Sequence, residues 1–353
     1  MANPRVRGAG SYLICERRVN GKTAKLDRIS AAGHLAGVGE QFHTPVLVDA
    51  VCDALLPSLG GRHGANVLVD ATTGGGGHAM ALLERARPRV AVLMDRDPQA
   101  LAHASLRLSA YANLISFVHA RFSSIREVVL ERGLTHVHAI LADLGVSSHQ
   151  VDNAVRGFSF RSEAPLDMRM DPSTGYTAAE FLALVDVPTL ANVLHEYGEE
   201  RRARAIARAI VRDRPTTTTQ LASIVVDTIG PPRPGHIHPA TRTFQAIRIH
   251  VNQELEQLDT FLDAAPELLA PGGRLCIIAF HSLEDRRVKH RIHALTRIEQ
   301  PPPRLPIVAR TLAKPKFRIP PGYTRGITPS ADELDRNPRA RSARLRLVER
   351  CAS

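Results

Sequence analysis

The sequence predicts an α/β protein built on a doubly wound, Rossmann-like parallel sheet, and three observations predict it. The apolar run Val67-Leu-Val-Asp70 ends at a carboxylate and leads through Ala71-Thr-Thr73 into four glycines, Gly74 to Gly77, and His78. A second apolar run, Val90-Ala-Val-Leu-Met94, ends at Asp95. Further on, runs of strand length alternate with stretches of helical period. A strand, a glycine turn, a helix and a second strand with an acidic tip form the layout of a nucleotide or nucleoside-cofactor site on such a sheet.

Taken in order, residues 1–40 are rich in Gly, Ala, Arg and Lys with no sustained apolar period, which predicts a disordered basic N-terminal extension. Order is expected to begin near Phe42 to Val48. Strands are predicted at Val67–Asp70, Val90–Asp95, Ile115–His119 and His138–Asp143, with helices such as His78–Arg87 and Pro98–Ala112 between them. The next buried strand, Arg274–Phe280, follows the turn Pro271-Gly-Gly273, a gap far longer than one crossover helix needs. Thr177–Val185, Val187–Tyr197 and Glu199–Asp213 read as helices, while Pro215 to Thr219 and Pro231 to Gly235 punctuate loops. The simplest organisation is a core domain over 41–150 and 237–353 with a small helical domain inserted at 151–236. A single helix over Pro239–Leu262 leads back to the sheet, with Phe244, Ile247, Val251, Leu255 and Leu258 on its apolar stripe. A last strand at Ala343–Val348 closes the sheet.

The bulk numbers narrow the class. At 353 residues and 44% hydrophobic content the chain suits a globular protein. No apolar run approaches the roughly 20 residues that cross a bilayer, and Met1 to Arg18 lack the apolar core of a signal peptide. The four cysteines are scattered without a C-x-x-C pair, so neither a zinc site nor a disulfide framework is expected, and a cytoplasmic location is. The net charge of +11 favours a polyanionic partner such as nucleic acid, although an arginine-rich composition alone explains part of it. With no Trp and 4% aromatic residues, a broad base-stacking platform is not expected.

Gly74-x-Gly76-x-x-Ala79, with Asp95 downstream, formally matches a dinucleotide fingerprint. Two carboxylates shift the reading to S-adenosylmethionine. Asp70, just before the glycine loop, suits a cationic methionyl amine and repels a pyrophosphate. Asp143 ends the fourth strand at the crevice where a methyl acceptor would lie. The bland alternative for Asp70 and Asp95 is capping of a local turn or helix.

Ten segments carry a closer likeness: His43-Thr-Pro-Val-Leu47, Asp70 to His78, Asp95-Arg-Asp-Pro-Gln-Ala100, Asp143-Leu-Gly-Val-Ser-Ser148, Arg156-Gly-Phe-Ser-Phe160, Pro165 to Asp171, Tyr197-Gly-Glu-Glu-Arg201, His238 to Gln245, Phe280 to Arg286 and Asn337-Pro-Arg-Ala-Arg341. In these, and in their order, the chain resembles the bacterial small-subunit ribosomal RNA methyltransferase H family, also called MraW. Members of that family use S-adenosylmethionine to methylate N4 of a cytidine in the decoding region of 16S rRNA. The resemblance implies a class I S-adenosylmethionine-dependent methyltransferase sheet with an inserted helical substrate domain. It also implies cofactor contacts from Gly76, Gly77, His78, Asp95, Phe122, Asp143 and Gln150, beside Asp70 and Gly74 of the strand-and-loop reading. The chain departs from the family at Gly75, where an arginine is common, and over 1–40, which have no counterpart.

A cytosine N4 amine is a poor nucleophile, because its lone pair is delocalised into the ring. The expected catalysis is in-line placement plus acceptors for the amine hydrogens, with no metal and no covalent nucleophile. Asp143, the Leu144 to Val146 carbonyls and the Ser147 or Ser148 hydroxyl are the candidate acceptors, with a cofactor contact as the competing role for Asp143. His281 is a candidate on the substrate side. Phe158 and Phe160 are candidates to pack on an unstacked base; the alternative is that they anchor the inserted domain. Arg161, Arg169, Arg242 and Arg248 are candidate RNA contacts, or else local ion pairs. The expected partner is 16S rRNA within the small subunit, with no membrane and no DNA. A DNA or small-molecule amino methyltransferase and a non-catalytic ribosome-assembly factor are the rival readings.

Overall fold

The computed structural model describes residues 45–60, 66–297 and 315–352. The expected start of order at Phe42 to Thr44 and the expected disorder of 1–40 lie outside the described residues. In chain order the elements are α1 (Val48–Leu59), β1 (Val67–Asp70), α2 (Gly77–Ala86), β2 (Val90–Asp95), α3 (Pro98–Arg107), β3 (Ile115–His119), α4 (Ile125–Glu131), β4 (Val137–Asp143) and α5 (Ser148–Asp152). Helices α6 (Ala178–Leu184), α7 (Val187–Gly198), α8 (Ala203–Asp213), α9 (Thr218–Ile229), α10 (Ala240–Asn252) and α11 (Glu254–Ala264) follow. Then come β5 (Leu269–Ala279), α12 (Ser282–Thr296), β6 (Phe317–Arg318), α13 (Ala331–Arg336) and β7 (Arg344–Arg350).

Among the described residues the strands form one sheet in the order β3-β2-β1-β4-β5-β7-β6. The first five are parallel, and β7 runs antiparallel to both its neighbours. The strand order reverses between β1 and β4, which opens a crevice beyond their carboxyl ends. The alternation of side chains lets short strands feed two apolar layers. Val67 and Val69 face one layer with Phe261, Leu262 and Val288, whereas Leu68 faces the other with Leu55, Leu82 and Leu83. A third apolar cluster joins α6 to α10 through Leu182, Leu190, Leu194, Ile206, Ile210, Leu221, Phe244 and Ile247.

The expected long helix over Pro239–Leu262 is two helices. Gln253 takes a left-handed conformation (φ 53°) between α10 and α11. The Asn252 side chain accepts from the Met170 amide and donates to the Met168 carbonyl, at 2.8 and 2.7 Å. Its backbone carbonyl accepts from Arg96 and Gln257 rather than from the helix ladder. Helix α8 starts at Ala203 rather than Glu199, because Glu199 is itself left-handed (φ 48°). The stretch expected as a loop at Pro215 to Thr219 runs into α9, which Thr217 and Gln220 start with a reciprocal capping box.

Candidate active site

The carboxyl ends of β1, β2 and β4 open into a cleft of about 370 Å³. Its lining brings together Gly74, Gly77, His78, Asp95, Phe122, Asp143, Ser148, Gln150 and Arg248 of the residues expected from sequence. It does not include Asp70, Gly76, Phe158, Phe160, Arg161, Arg169, Arg242 or His281.

The glycine loop is shaped from both ends. The Asp95 carboxylate accepts the Gly74 amide at 2.7 Å with one oxygen and the Asp97 amide at 2.8 Å with the other. The acidic tip of β2 thus fastens the loop of β1, and each oxygen keeps a lone pair for a ligand hydroxyl. Burial pushes Asp95 up to about 6. Gly76 (φ 77°) serves the turn into α2, where a Cβ would meet Leu108 at 3.1 Å; it packs against α3 and does not face the cleft. At Gly77 a Cβ would meet Pro45 Cγ at 2.8 Å, so only glycine lets α2 begin beneath that proline.

Asp70 lies under the floor rather than in the lining. It is 1% exposed, accepts the Thr72 amide at 3.2 Å, and is raised to about 7 by burial. The turn-capping reading therefore describes its contacts, and direct access to a ligand amine is not what the geometry gives. Thr72 then ties β1 to β4, its hydroxyl accepting the Asp143 amide at 2.6 Å.

Asp143 is the chemically unusual group. Burial, with the charge of Glu284 adding to it, pushes its carboxyl up to about 8. Its Oδ1 is buried and finds no hydrogen-bond partner among the described residues. Its Oδ2 lies 3.7 Å from His78 Nδ1. His78 Nε2 is 2.8 Å from the Val46 carbonyl, an acceptor only, so Nε2 carries the proton and Nδ1 is bare. Burial holds His78 below its ordinary range, hence neutral. A protonated Asp143 beside a bare imidazole nitrogen is the consistent assignment.

Behind the cleft, Asp97 is a buried hub that starts α3. It accepts from the Gln99 amide, from Gln150 Nε2 at 2.8 Å and from Arg156 Nη1 at 2.8 Å. Arg156 also donates to the Arg169 and Met170 carbonyls. Gln150, expected as a cofactor contact, lines the cleft but spends its amide on Asp97 and on the capping box with Ser147. Phe122 borders the cleft and packs edge-on against Phe261, with ring centroids 5.4 Å apart.

The far wall is charged. Arg248 and Glu254 both line the cleft and pair through two hydrogen bonds of 2.8 Å. Glu284 also lines it, accepting the Phe280 amide at 2.8 Å and sitting 3.2 Å from His281 Nε2. His281 therefore caps α12 and reaches the cleft only through Glu284. Glu254, His281 and Glu284 bring ligand-type atoms within 4.8 Å of one another, but Arg248 already occupies both Glu254 oxygens.

The remaining expected substrate residues lie elsewhere. Phe160 packs against Phe244 and His238, at 5.0 and 4.6 Å, and Phe158 lies under Arg156, so both anchor the helical cluster. Arg169 is clamped by Asp167 at 2.8 and 2.9 Å. Arg242 reaches the Glu199 carbonyl at 3.4 Å, and Arg161 is exposed. Sequence reasoning missed Arg96, Glu254 and Met170 as cleft residues. The bend at Gln253 brings Glu254 in, and no local pattern signals that bend.

The donor set fits S-adenosylmethionine. An acidic tip for ribose hydroxyls, a ring for a flat base and an unpartnered carboxyl for a cation all line the one cleft.

The model of the MraW methylase family matches residues 40–351. The chain is 46% identical over 314 residues to the ribosomal RNA small subunit methyltransferase H of a Cyanothece species, covering 88% of this chain and 95% of that one. It is 46% identical over 332 residues to the protein of the same name from Halorhodospira halophila, covering 91% and 99%. Among solved structures it is similar to an rRNA methylase from Streptococcus thermophilus, with 13% identity, a TM-score of 0.35, and coverage of 86% and 93%. The chain belongs to the MraW methylase family.

Proposed function

We propose that this protein transfers a methyl group from S-adenosylmethionine to the N4 amine of a cytidine in the decoding region of 16S rRNA, acting on the small ribosomal subunit in the cytoplasm. The observation that carries the reading is the buried, unpartnered Asp143 Oδ1 in a cleft edged by the glycine loop and Asp95, in a chain close to proteins named for small-subunit rRNA methylation.

Bound in this cleft, S-adenosylmethionine supplies an already activated methyl on a sulfonium. Asp95 would hold the ribose hydroxyls, Phe122 would border the adenine, and Gly74, Gly75 and Gly77 would let the donor approach the backbone closely. Asp143 would compensate the positive charge and accept a hydrogen bond from the incoming amine, aiming the nitrogen lone pair at the methyl; the N–C bond would form as the C–S bond breaks, and the surplus amine proton would pass to water. Ser148 closes the same edge. Residues 151–236 form the inserted substrate-recognition domain, and Phe160 fastens it to the α10 region through His238 and Phe244. His281 holds Glu284 in place and so acts on the substrate side at one remove.

The test is incubation with methyl-labelled S-adenosylmethionine and, separately, small subunits, naked 16S rRNA and DNA. Label in subunits or their rRNA supports the reading. Label confined to DNA contradicts it, as does tight RNA binding with no label anywhere.

A further inference from the structure

The wall of the cleft at the tip of β2 carries a cation that the chemistry above leaves unused. Arg96 directly follows Asp95 and lines the cleft. Its Nη1 donates to the Asn252 carbonyl at 3.0 Å and faces the Met170 sulfur at 3.8 Å, both neutral partners. Its Nε is buried and finds no hydrogen-bond partner among the described residues. Burial, and then the nearby guanidinium of Arg121, hold it below the usual arginine range, and the carboxylates of Glu254, Asp171 and Asp95 offset this only in part. Of the other arginines lining the cleft, Arg107 is exposed and reaches only the Gly75 carbonyl at 3.5 Å, and two are matched by acids. Arg248 is matched by Glu254 at 2.8 Å, and Arg339 by Asp152 at 2.9 Å.

None of those carboxylates bonds to the Arg96 guanidinium, so its buried Nε and the adjoining Arg121 charge are relieved by an anion that reaches both. Arg121 is exposed and donates to Gln253 Oε1 at 3.2 Å, at the bend between α10 and α11. Both cations therefore converge where the tips of β2 and β3 meet that bend. The adenosine end of the donor, placed against Asp95 and Phe122, brings no negative charge to this point. A polynucleotide substrate does, as phosphodiesters that match the forked donors of arginine.

We propose that Arg96, with Arg121 beside it, binds a backbone phosphate of the RNA strand that delivers the target nucleotide. This rests on the reading of the chain as an RNA methyltransferase. It assigns the strand a path past the β2 and β3 tips rather than past Arg169 or Arg248, whose charges are taken.

The test measures binding of the full chain to a short single-stranded oligoribonucleotide over a range of salt, beside calorimetry with S-adenosylmethionine. Removing one cation that neutralises a phosphate lowers the slope of log K against log salt by about 0.7. Arg121→Gln, an exposed substitution, reduces the slope by up to that much while donor affinity holds. Arg96→Gln reduces it at least as far, and Arg96→Lys, which keeps the charge, restores it. An unchanged slope in both glutamine variants overturns the proposal, and so does an effect of Arg96→Gln that appears only in donor affinity. If the wild-type chain methylates small-subunit rRNA while both glutamine variants keep its slope, this inference alone fails. If the wild-type chain binds neither donor nor RNA, the reading beneath it fails as well.

Discussion

Affinity for S-adenosylmethionine strengthens with rising pH, and Asp143 sets the slope. Its carboxyl is pushed up to about 8 by burial and by Glu284, and His78, 3.7 Å away, is neutral. A sulfonium placed beside it favours the ionised form, so binding the cation releases the proton. With the group near 8, about one site in ten is ionised at about pH 7, which sets affinity about tenfold below its limit, or about 1.4 kcal/mol. At about pH 6 the deficit grows to about a hundredfold. Asp95, at about 6, steepens the fall in the same direction. Calorimetry at several pH values, in buffers of different ionisation enthalpy, reads both the affinity and the protons released. S-adenosylhomocysteine, which lacks the sulfonium charge, shows a shallower profile, and Asp143→Asn flattens it. A wild-type profile flat with pH, with no proton released near neutrality, refutes the reasoning.

Other outcomes follow from the same geometry. An acid whose folded value lies above its unfolded one stabilises the fold below the unfolded value and loses that contribution as pH rises through the folded value. The unliganded protein therefore loses stability from about pH 4 to about pH 8 through Asp70, Asp95 and Asp143. Asp143→Asn accordingly raises Tm, more at the alkaline end than at the acid end, in thermal unfolding followed by circular dichroism. Gly77→Ala drives a Cβ to 2.8 Å from Pro45 and costs about 1–3 kcal/mol, read as a lower urea midpoint with weakened donor binding. Arg156→Ala strands the buried Asp97 carboxylate and costs about 3–5 kcal/mol in the same urea titration; a loss under about 1 kcal/mol contradicts the hub described for it.

Much of the fold was legible because its signals are local. Val67–Asp70, Val90–Asp95 and Ile115–His119 are strands at the expected bounds, since short runs rich in β-branched residues that end at a polar tip leave little choice of limits. The bend at Gln253 was not legible. It depends on Asn252 bonding to Met168 and Met170, more than eighty residues away in sequence, while the helical stripe continues across it. The charged wall was hidden for the same reason, because Glu254 reaches the cleft only through that bend. Strand-tip reasoning found Asp95 and Asp143 in the lining. It could not separate Asp143 from Asp70, since both end buried strands and only the three-dimensional packing shows which carboxyl is left without a partner. The arginines were the least readable. Whether a guanidinium meets an acid two residues away, as Arg169 meets Asp167, or a distant carbonyl, as Arg96 meets Asn252, is decided by tertiary placement.

The central claim is that this cleft presents a cytidine amine to a methyl donor over Asp143. Nucleoside analysis of small-subunit rRNA after reaction with the purified protein tests it most directly. The account predicts N4-methylcytidine at a single position of the decoding region, with that product abolished by Asp143→Ala. A methyl on a ribose hydroxyl or on a ring carbon, or the same yield of N4-methylcytidine from the alanine variant, contradicts it.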